Sequence, residues 1–182
     1  MEKNTGDARE LRRGCLFCRS GRETEVIQRL ELLLPDIRWI SPAKTRYRRT
    51  GGEAREERVT LLPGYIFFQT AEELPVRLIR RPDNVYKVLT YGDGEWRLHG
   101  ADDLFARMLF ETDGVIGMSK AYYDEGDRIR ITDGFMKAYE GSIIRVNRRA
   151  KTAEIRIPFQ DKLLSLWLGF ELIEKVKTDN AR

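Results

Sequence analysis

The residues best suited to covalent or metal chemistry are two cysteines and one histidine. Cys15 and Cys18 form a C-x-x-C motif, and His99 is the only histidine among 182 residues. A structural zinc site takes four such ligands, which one copy of this chain cannot supply. If CLFC is a strand, the two thiols point to opposite faces, which disfavours both a disulfide and a shared metal. We therefore predict no metal site and no cofactor.

The sequence also lacks the patterns that usually carry enzymatic chemistry. It contains no phosphate-binding loop and no dinucleotide-binding fingerprint. Asp102 and Asp103 are adjacent, but neighbours on a helix point about 100° apart, so the pair is typical of an acidic first turn that favours the helix dipole. A cysteine–histidine nucleophile would need His99 to fold back onto a cysteine, and nothing in the spacing indicates this. We predict that the protein is not an enzyme.

Composition suits a protein with a packed core. Hydrophobic residues make up 41% of the chain, and 182 residues suffice for one large domain or two small ones. No apolar run reaches the roughly 18 residues of a membrane span, and the N-terminal segment MEKNTGDARELRR is charged, unlike a signal peptide. We expect a soluble, cytoplasmic protein without a membrane partner.

The distribution of charge gives a modest indication of a polyanionic partner. The net charge is +4 and the pI is near 9.1. Residues 38–58 hold seven basic against three acidic residues, and a second cluster, RVNRRAK, occupies 145–151. Most such runs are solvated surface, so each is a candidate, and no more, for contact with nucleic acid.

The first half of the sequence predicts helices on an antiparallel sheet. After the strand GCLFCR, Ser20 and Glu23 have the spacing of a capping box at a helix start, and Pro35 ends that helix. A second helix is predicted to start near Glu72, with Pro75 in its first turn, and to end before Pro82. The other predicted strands are IRWIS, the hairpin KTRYRR–TGGE–REERVTLL, YIFFQ, VYKVLT and WRL. This β-α-β-β-β-α-β order is typical of α+β packing.

The second half predicts a small barrel. A short helix over 102–111 ends the first domain, predicted at 10–112, and the glycine-containing segment 113–121 is predicted as a linker. From there, 122–177 holds short strands with tight turns, which indicates a β-barrel. The segments predicted as its strands are DRIRIT, DGFMKAYEG, SIIRVN, AEIRIPF, LLSLWL and FELIEKV.

The strand YIFFQ carries large apolar side chains on both faces. Because side chains alternate along a strand, Tyr65 and Phe67 point to one side while Ile66 and Phe68 point to the other. One face can fill the core. The second must either be covered by a helix of the chain or form a surface for a partner. The residues alone leave both alternatives open.

Two segments together resemble the NusG family of transcription elongation factors. LLPGYIFF is similar to the L-F-P-G-Y-(V/L)-(F/L) strand of the family's N-terminal (NGN) domain, and EGDRIRITDGFMKAYEGSIIRVN is similar to the KOW motif. The resemblance covers about residues 14–177. It implies an α+β protein with an N-terminal NGN-type antiparallel sheet and flanking helices, a linker and a C-terminal small KOW (SH3-like) β-barrel. KOW-type barrels also occur in ribosomal proteins.

Departures from the family pattern indicate a specialised paralogue. Arg13-Gly14 stands where the family usually has Trp-Tyr, and Phe135 replaces the proline after Gly134. GVIGMSKAYYDEGDRIRI, followed by RVNRRAKTAEI, is similar to the LoaP-type branch. RfaH-type proteins are the next nearest, but their KOW half tends to be ambivalent between helix and strand. Here β-branched residues favour the barrel.

The resemblance implies an elongation or antitermination factor whose NGN domain binds the clamp helices of the largest catalytic subunit of RNA polymerase. It assigns an apolar polymerase-binding cavity to Phe17, Tyr65 and Phe67. An edge of the same domain that faces non-template DNA would carry Arg19, Arg22, Arg80 and Arg81.

LoaP-type relatives further imply a nascent RNA hairpin as the target of the KOW barrel. The basic residues predicted to contact it are Lys137, Arg145, Arg148, Arg149, Lys151 and Arg156. The alternative is a ribosome-associated RNA-binding protein that uses the same barrel. We expect the protein to be a monomer.

Overall fold

The computed structural model describes residues 10–51 and 53–174. Contacts within the chain divide it into two compact units. Within the described residues, the first unit combines 10–42 with 62–113, and the second combines 43–51 and 53–61 with 114–174.

The first unit is an antiparallel sheet with helices, as predicted. Its strands are β1 (Arg12–Cys18), β2 (Arg38–Ile40), β5 (Tyr65–Thr70) and β6 (Val85–Val88), and its helices are α1 (Glu23–Leu33), α2 (Val76–Ile79) and α3 (Gly100–Glu111). The sheet order is β2-β5-β1-β6, and all three pairings are antiparallel. Of the residues predicted to bind polymerase, Phe17 lies on the central strand β1, and Tyr65 and Phe67 lie on the central strand β5.

The hydrophobic core of this unit lies between one face of the sheet and α1. Val26 and Leu30 of α1 pack with Leu16, Ile66 and Phe68, all of which are 0% exposed. Each fully buried side chain of this size contributes roughly 1.5–3 kcal/mol to folding. Of the two faces of the strand YIFFQ, the one that carries Ile66 and Phe68 is therefore the one that packs on α1.

The predicted capping box at the start of α1 is wrong. Arg22 occupies the N-cap position, and its side chain makes no capping hydrogen bond. Glu23 is buried instead, and its Oε1 accepts the Gly64 N–H at 2.6 Å. The Glu23 carboxylate therefore binds the backbone of Gly64, where a capping box would have it accept the backbone N–H of Ser20.

Two further predictions for this unit were wrong. The helix expected from Glu72 is only the single turn α2, preceded by Pro75 at its N-cap. The segment WRL is not a strand, although the Leu98 N–H donates to the Arg13 carbonyl at 2.8 Å. Trp96 packs on the core, with its ring centroid 5.5 Å from that of Phe68. The partly buried Trp96 ring, the buried Leu98 side chain and this one backbone hydrogen bond hold the segment in place.

The second unit contains two sheets. Its strands are β3 (Ala43–Thr50), β4 (Glu53–Thr60), β7 (Val115–Ile116), β8 (Ser119–Tyr123), β9 (Ile129–Asp133), β10 (Ile143–Asn147), β11 (Thr152–Phe159) and β12 (Lys162–Leu172). The orders are β4-β3-β7 and β10-β11-β12-β8-β9. The predicted hairpin is confirmed in β3 and β4, with Gly51 at φ +64° in its turn.

The five-stranded sheet curls into the KOW-type (SH3-like) fold that was predicted. Ile155 and Ile157 of β11 are buried while Arg156 between them is exposed, as expected from strand alternation. Gly134 precedes a 3₁₀ helix with φ +93°, and a Cβ there would lie 2.8 Å from the Ser119 Cα. Only glycine fits this position without strain.

Several strand assignments in this barrel need correction. Most of DGFMKAYEG lies in the 3₁₀ helix Phe135–Ser142, which is interrupted at Tyr139 (φ −120°), and LLSLWL joins FEL in the single strand β12. The end of the predicted segment FELIEKV lies outside the described residues. The predicted linker supplies β7 and most of β8, because β8 pairs with both β9 and β12. The ranges predicted for the two domains and the linker stay a prediction.

Candidate functional site

One face of the first unit's sheet answers the question raised by the strand YIFFQ. The antiparallel register of β1 and β5 sets Cys15 opposite Phe67 and Phe17 opposite Tyr65. Opposed residues share a face, so these four side chains line the side of the sheet that faces away from α1. The two pairs differ in what lies over them.

The first pair forms the covered end of this face. Phe67 is 0% exposed, and its ring packs edge-on against Phe105 of α3 with centroids 5.8 Å apart. Cys15 is equally buried, and burial, followed by the proximity of Cys18, raises the pKa of its thiol well above the ordinary value. Contact with a partner would need α3 to move off Phe67.

The second pair forms the open end. Phe17 and Tyr65 are half-buried, and their rings meet edge-on with centroids 5.3 Å apart. Tyr86 of β6 adds a third ring, 5.8 Å from Phe17 and 58% exposed. The predicted set of three is therefore divided, with Phe17 and Tyr65 together near the surface and Phe67 beneath a helix. The role of these residues in polymerase binding stays a prediction.

Tyr86 was not predicted as a site residue. It reaches the open end because β6 pairs with β1, with an irregularity in register between Phe17 and Cys18. Its only sequence signal is an aromatic residue in the short strand VYKV, and that signal does not reveal which strand is its neighbour.

Gly64 packs closely against Phe17 at the open end. Its N–H donates to Glu23, and its carbonyl accepts the Cys18 N–H at 2.8 Å. Its φ is +84°, and a Cβ would lie 2.8 Å from a ring carbon of Phe17 and 2.9 Å from the Cys18 carbonyl oxygen. Both the backbone conformation and the close approach require glycine.

The four arginines predicted to face DNA lie on two segments that a backbone hydrogen bond joins. Arg19 precedes α1, and its N–H donates to the carbonyl of Asn84 at 2.9 Å. Arg80 and Arg81 lie on the connection between α2 and β6 that contains Asn84, and both are exposed. Arg22 is also exposed, but it pairs with Glu25 at 3.0 Å.

The basic residues predicted to bind RNA surround the turn between β10 and β11, with one exception. Arg148, Arg149 and Lys151 are exposed in or next to the turn. Arg145 and Arg156 follow on the adjoining strands, where the register places them on the outer face. The exception, Lys137, lies on the 3₁₀ helix.

Acidic side chains neutralise half of this basic set. Arg148 pairs with Asp127 at 2.5 Å, Arg145 with Glu154 at 3.8 Å and Lys137 with Glu140 at 3.7 Å. Among the described residues, no ionic partner is found for Arg149, Lys151 or Arg156. The arginines of the first two pairs remain largely exposed, at 72% for Arg145 and 54% for Arg148.

Two features bear on other kinds of function. In residues 10–51 and 53–174 there is no group of three or more acidic, histidine or cysteine side chains that could hold a metal ion. Both cysteines are free thiols. Within the same part of the chain, no helix is long and apolar enough to cross a membrane.

The fold and site define a two-unit α+β protein that presents an aromatic surface on one unit and a KOW-type barrel in the other. Residues 15–109, just over half of the chain, match the family described as Transcription termination factor nusG. The chain belongs to the NusG family. It is also similar to the solved structure reported under "Domain interaction in Thermotoga maritima NusG", at 14% identity and a TM-score of 0.49, over 88% of this chain and 94% of that one. No curated protein matches it.

Proposed function

We propose that this protein is a non-enzymatic transcription elongation and antitermination factor that binds RNA polymerase through its N-terminal unit. Family membership and the open aromatic end of the sheet support the proposal. As the resemblance implies, the surface contacted is the clamp helices of the largest catalytic subunit. A factor that binds the closed, elongating state more tightly than the paused state shifts that equilibrium by the difference in affinity.

The observation that carries the proposal is the cluster of Phe17, Tyr65 and Tyr86. Aromatic side chains that keep part of their surface exposed in the free protein are typical anchors of protein interfaces. At the covered end, by contrast, α3 packs on Phe67 and buries its ring completely. At the open end Phe17 and Tyr65 are only half-buried and Tyr86 is 58% exposed, so this end offers apolar area to a partner.

The experiment is a binding titration of the full chain with RNA polymerase core enzyme. Tyr65→Ala and Tyr86→Ala should each weaken binding by about 30-fold, the effect of an interface hot spot worth about 2 kcal/mol. Tyr47→Ala is the matched control, because Tyr47 is a comparably exposed tyrosine on β3. Unchanged binding in both test variants, or an equal loss in the control, would contradict the assignment of this surface.

The arginines beside the open end extend the proposal to DNA. Arg19, Arg80 and Arg81 are exposed, and we propose that they contact non-template DNA through its phosphates in a salt-dependent manner. Crosslinkers placed at these positions and at Arg22 should label the non-template strand of an elongation complex. Absence of label at all four would refute the DNA contact without touching the polymerase contact.

The C-terminal barrel supplies the second contact, to a nascent RNA hairpin or to a partner protein. The exposed cations at the β10–β11 turn support RNA, since guanidinium groups can fork a phosphate or a guanine edge. This contact would make the protein a specialised paralogue of the LoaP type. Ribosome association is the competing function. Co-purification of a ribosomal subunit instead of RNA polymerase would favour it.

A further inference from the structure

A cavity of about 430 Å³ lies in the second unit between two strands that do not pair with each other. β9 and β10 are the edge strands of the five-stranded sheet, so each is hydrogen-bonded on one side only, to β8 and β11 respectively. Small-molecule sites in proteins commonly occupy roughly 300–1,000 Å³. The gap between the edges is therefore large enough for a ligand.

The walls of this cavity combine apolar and basic side chains. Ile129, Ile144 and Val146 line it, and Ile144 is 47% exposed in spite of being apolar. Arg128 and Arg145 also line it, and the Arg145 side chain is 72% exposed. Such a site suits a ligand that has a flat apolar part and a negative charge, and a nucleotide has both.

Two acidic side chains, Glu140 and Asp127, also line the cavity. Glu140 accepts the N–H of Ile131 at 3.0 Å and pairs with Arg130 at 3.3 Å. Asp127 pairs with Arg148. The lining holds four arginines, Arg128, Arg130, Arg145 and Arg148, against two carboxylates, so its net charge is positive whether or not Arg148 stays paired with Asp127.

Tyr123 adds a polar group that is not satisfied. Its hydroxyl is buried and has no hydrogen-bond partner among the described residues. The Arg148 guanidinium lies over its ring, 4.4 Å from the centroid. Arg148 is held by an ion pair with Asp127 and by a hydrogen bond to the Asp127 carbonyl at 3.0 Å. The two side chains are 54% and 67% exposed, and contacts this open to water are weak. Arg148 can therefore leave the ring for a phosphate, which would uncover an aromatic face next to the unsatisfied hydroxyl.

We propose that this cavity binds one unpaired nucleotide of an RNA hairpin. Arg128, Arg145 and the released Arg148 contact its phosphates, while Tyr123 stacks on the base and supplies the hydrogen bond. This inference rests on the proposed RNA-binding function. It adds that the protein prefers RNA stems that contain an unpaired nucleotide. Unstacked bases at bulges and loops are the parts of RNA that proteins read most specifically.

The test is a titration of the full chain with two labelled RNA hairpins, one fully paired and one carrying a single unpaired adenosine in the stem. The wild-type chain should bind the bulged hairpin about tenfold more tightly. Tyr123→Phe should reduce that preference by about threefold or more, because it removes only the hydroxyl. Tyr122→Phe is the matched control, since Tyr122 is adjacent on β8 and does not line the cavity.

Each outcome separates the inference from the function on which it rests. Equal binding of both hairpins, or a preference that Tyr123→Phe and Arg128→Ala leave unchanged, would overturn the nucleotide site while RNA binding stands. That result would leave the open edge of β10 to an extended peptide of a protein partner. Absence of binding to either hairpin would overturn the RNA-binding function and the inference together.

Discussion

The two ends of one face of the N-terminal sheet carry similar side chains and differ in their surroundings. At one end Phe67 lies beneath Phe105 of α3 and is 0% exposed. At the other, Phe17 and Tyr65 are half-buried, and Tyr86 beside them is 58% exposed. Strand alternation assigns Phe67 and Tyr65 to the same face, but only the position of a helix makes one of them core and the other surface.

This difference changes how the polymerase-binding prediction should be tested. A double variant of Tyr65 and Phe67 would combine a surface change with loss of a core ring, so failure to bind could simply reflect unfolding. Variants confined to the open end keep the two effects apart.

The largest expected effect is that of Phe67→Ala. Removing a fully buried ring costs roughly 3–5 kcal/mol, because it forfeits burial and leaves a cavity. We expect the midpoint of urea unfolding of the full chain, monitored by circular dichroism, to fall accordingly. Tyr86→Ala is the comparison variant and should stay within about 0.5 kcal/mol of wild type. Equal losses in the two variants would mean that the two ends do not differ in burial.

An intermediate effect is expected for Gly64→Ala. A side chain at φ +84° is strained, and the new Cβ would meet the Phe17 ring and the Cys18 carbonyl. We expect a loss of about 1–3 kcal/mol in the same urea experiment. Gly94→Ala is the control, because Gly94 has a similar φ of +85° but open space around its Cβ position. If the two variants lose the same stability, crowding at the open end contributes nothing.

The smallest effect concerns the thiols. Burial, and to a smaller extent the negative charge of the Glu23 carboxylate, raises the pKa of Cys18 to about 11. The folded state therefore favours the protonated thiol, so its stabilising contribution is present below the ordinary thiol pKa of about 8.5 and is lost as pH rises toward about 11. We expect the urea midpoint to fall over that interval and to fall less in Cys18→Ala. A steeper fall in Cys18→Ala would contradict this.

Reactivity provides a second measurement on the same thiols. At pH 8, a thiol with a pKa of about 11 is ionised in only about one molecule in a thousand, and the thiolate is the reactive form. We expect iodoacetamide to modify the folded chain far more slowly than the urea-unfolded chain. Phe105→Ala should speed modification of Cys15 at the covered end if α3 is what protects it.

The sequence by itself determined those features that depend on local periodicity. Alternation in AEIRIPF placed Ile155 and Ile157 inside and Arg156 outside, and the hairpin around TGGE formed where paired glycines could turn the chain. The helix predicted to follow GCLFCR and to end at Pro35 is α1. The resemblance of two separate segments to NusG proteins led to the family that the match over residues 15–109 shows.

Tertiary structure decided the features that depend on which segments become neighbours. The Glu23 carboxylate accepts the N–H of Gly64, a residue 41 positions away, and does not cap its own helix. Phe67 became core because α3 folds over it, and Tyr86 joined the open end because β6 pairs with β1. Tyr123 lies in a cavity only because β9 and β10 remain unpaired edges. Periodicity fixes the direction of a side chain relative to its own strand or helix, whereas its burial and its partners depend on contacts between residues far apart in the chain.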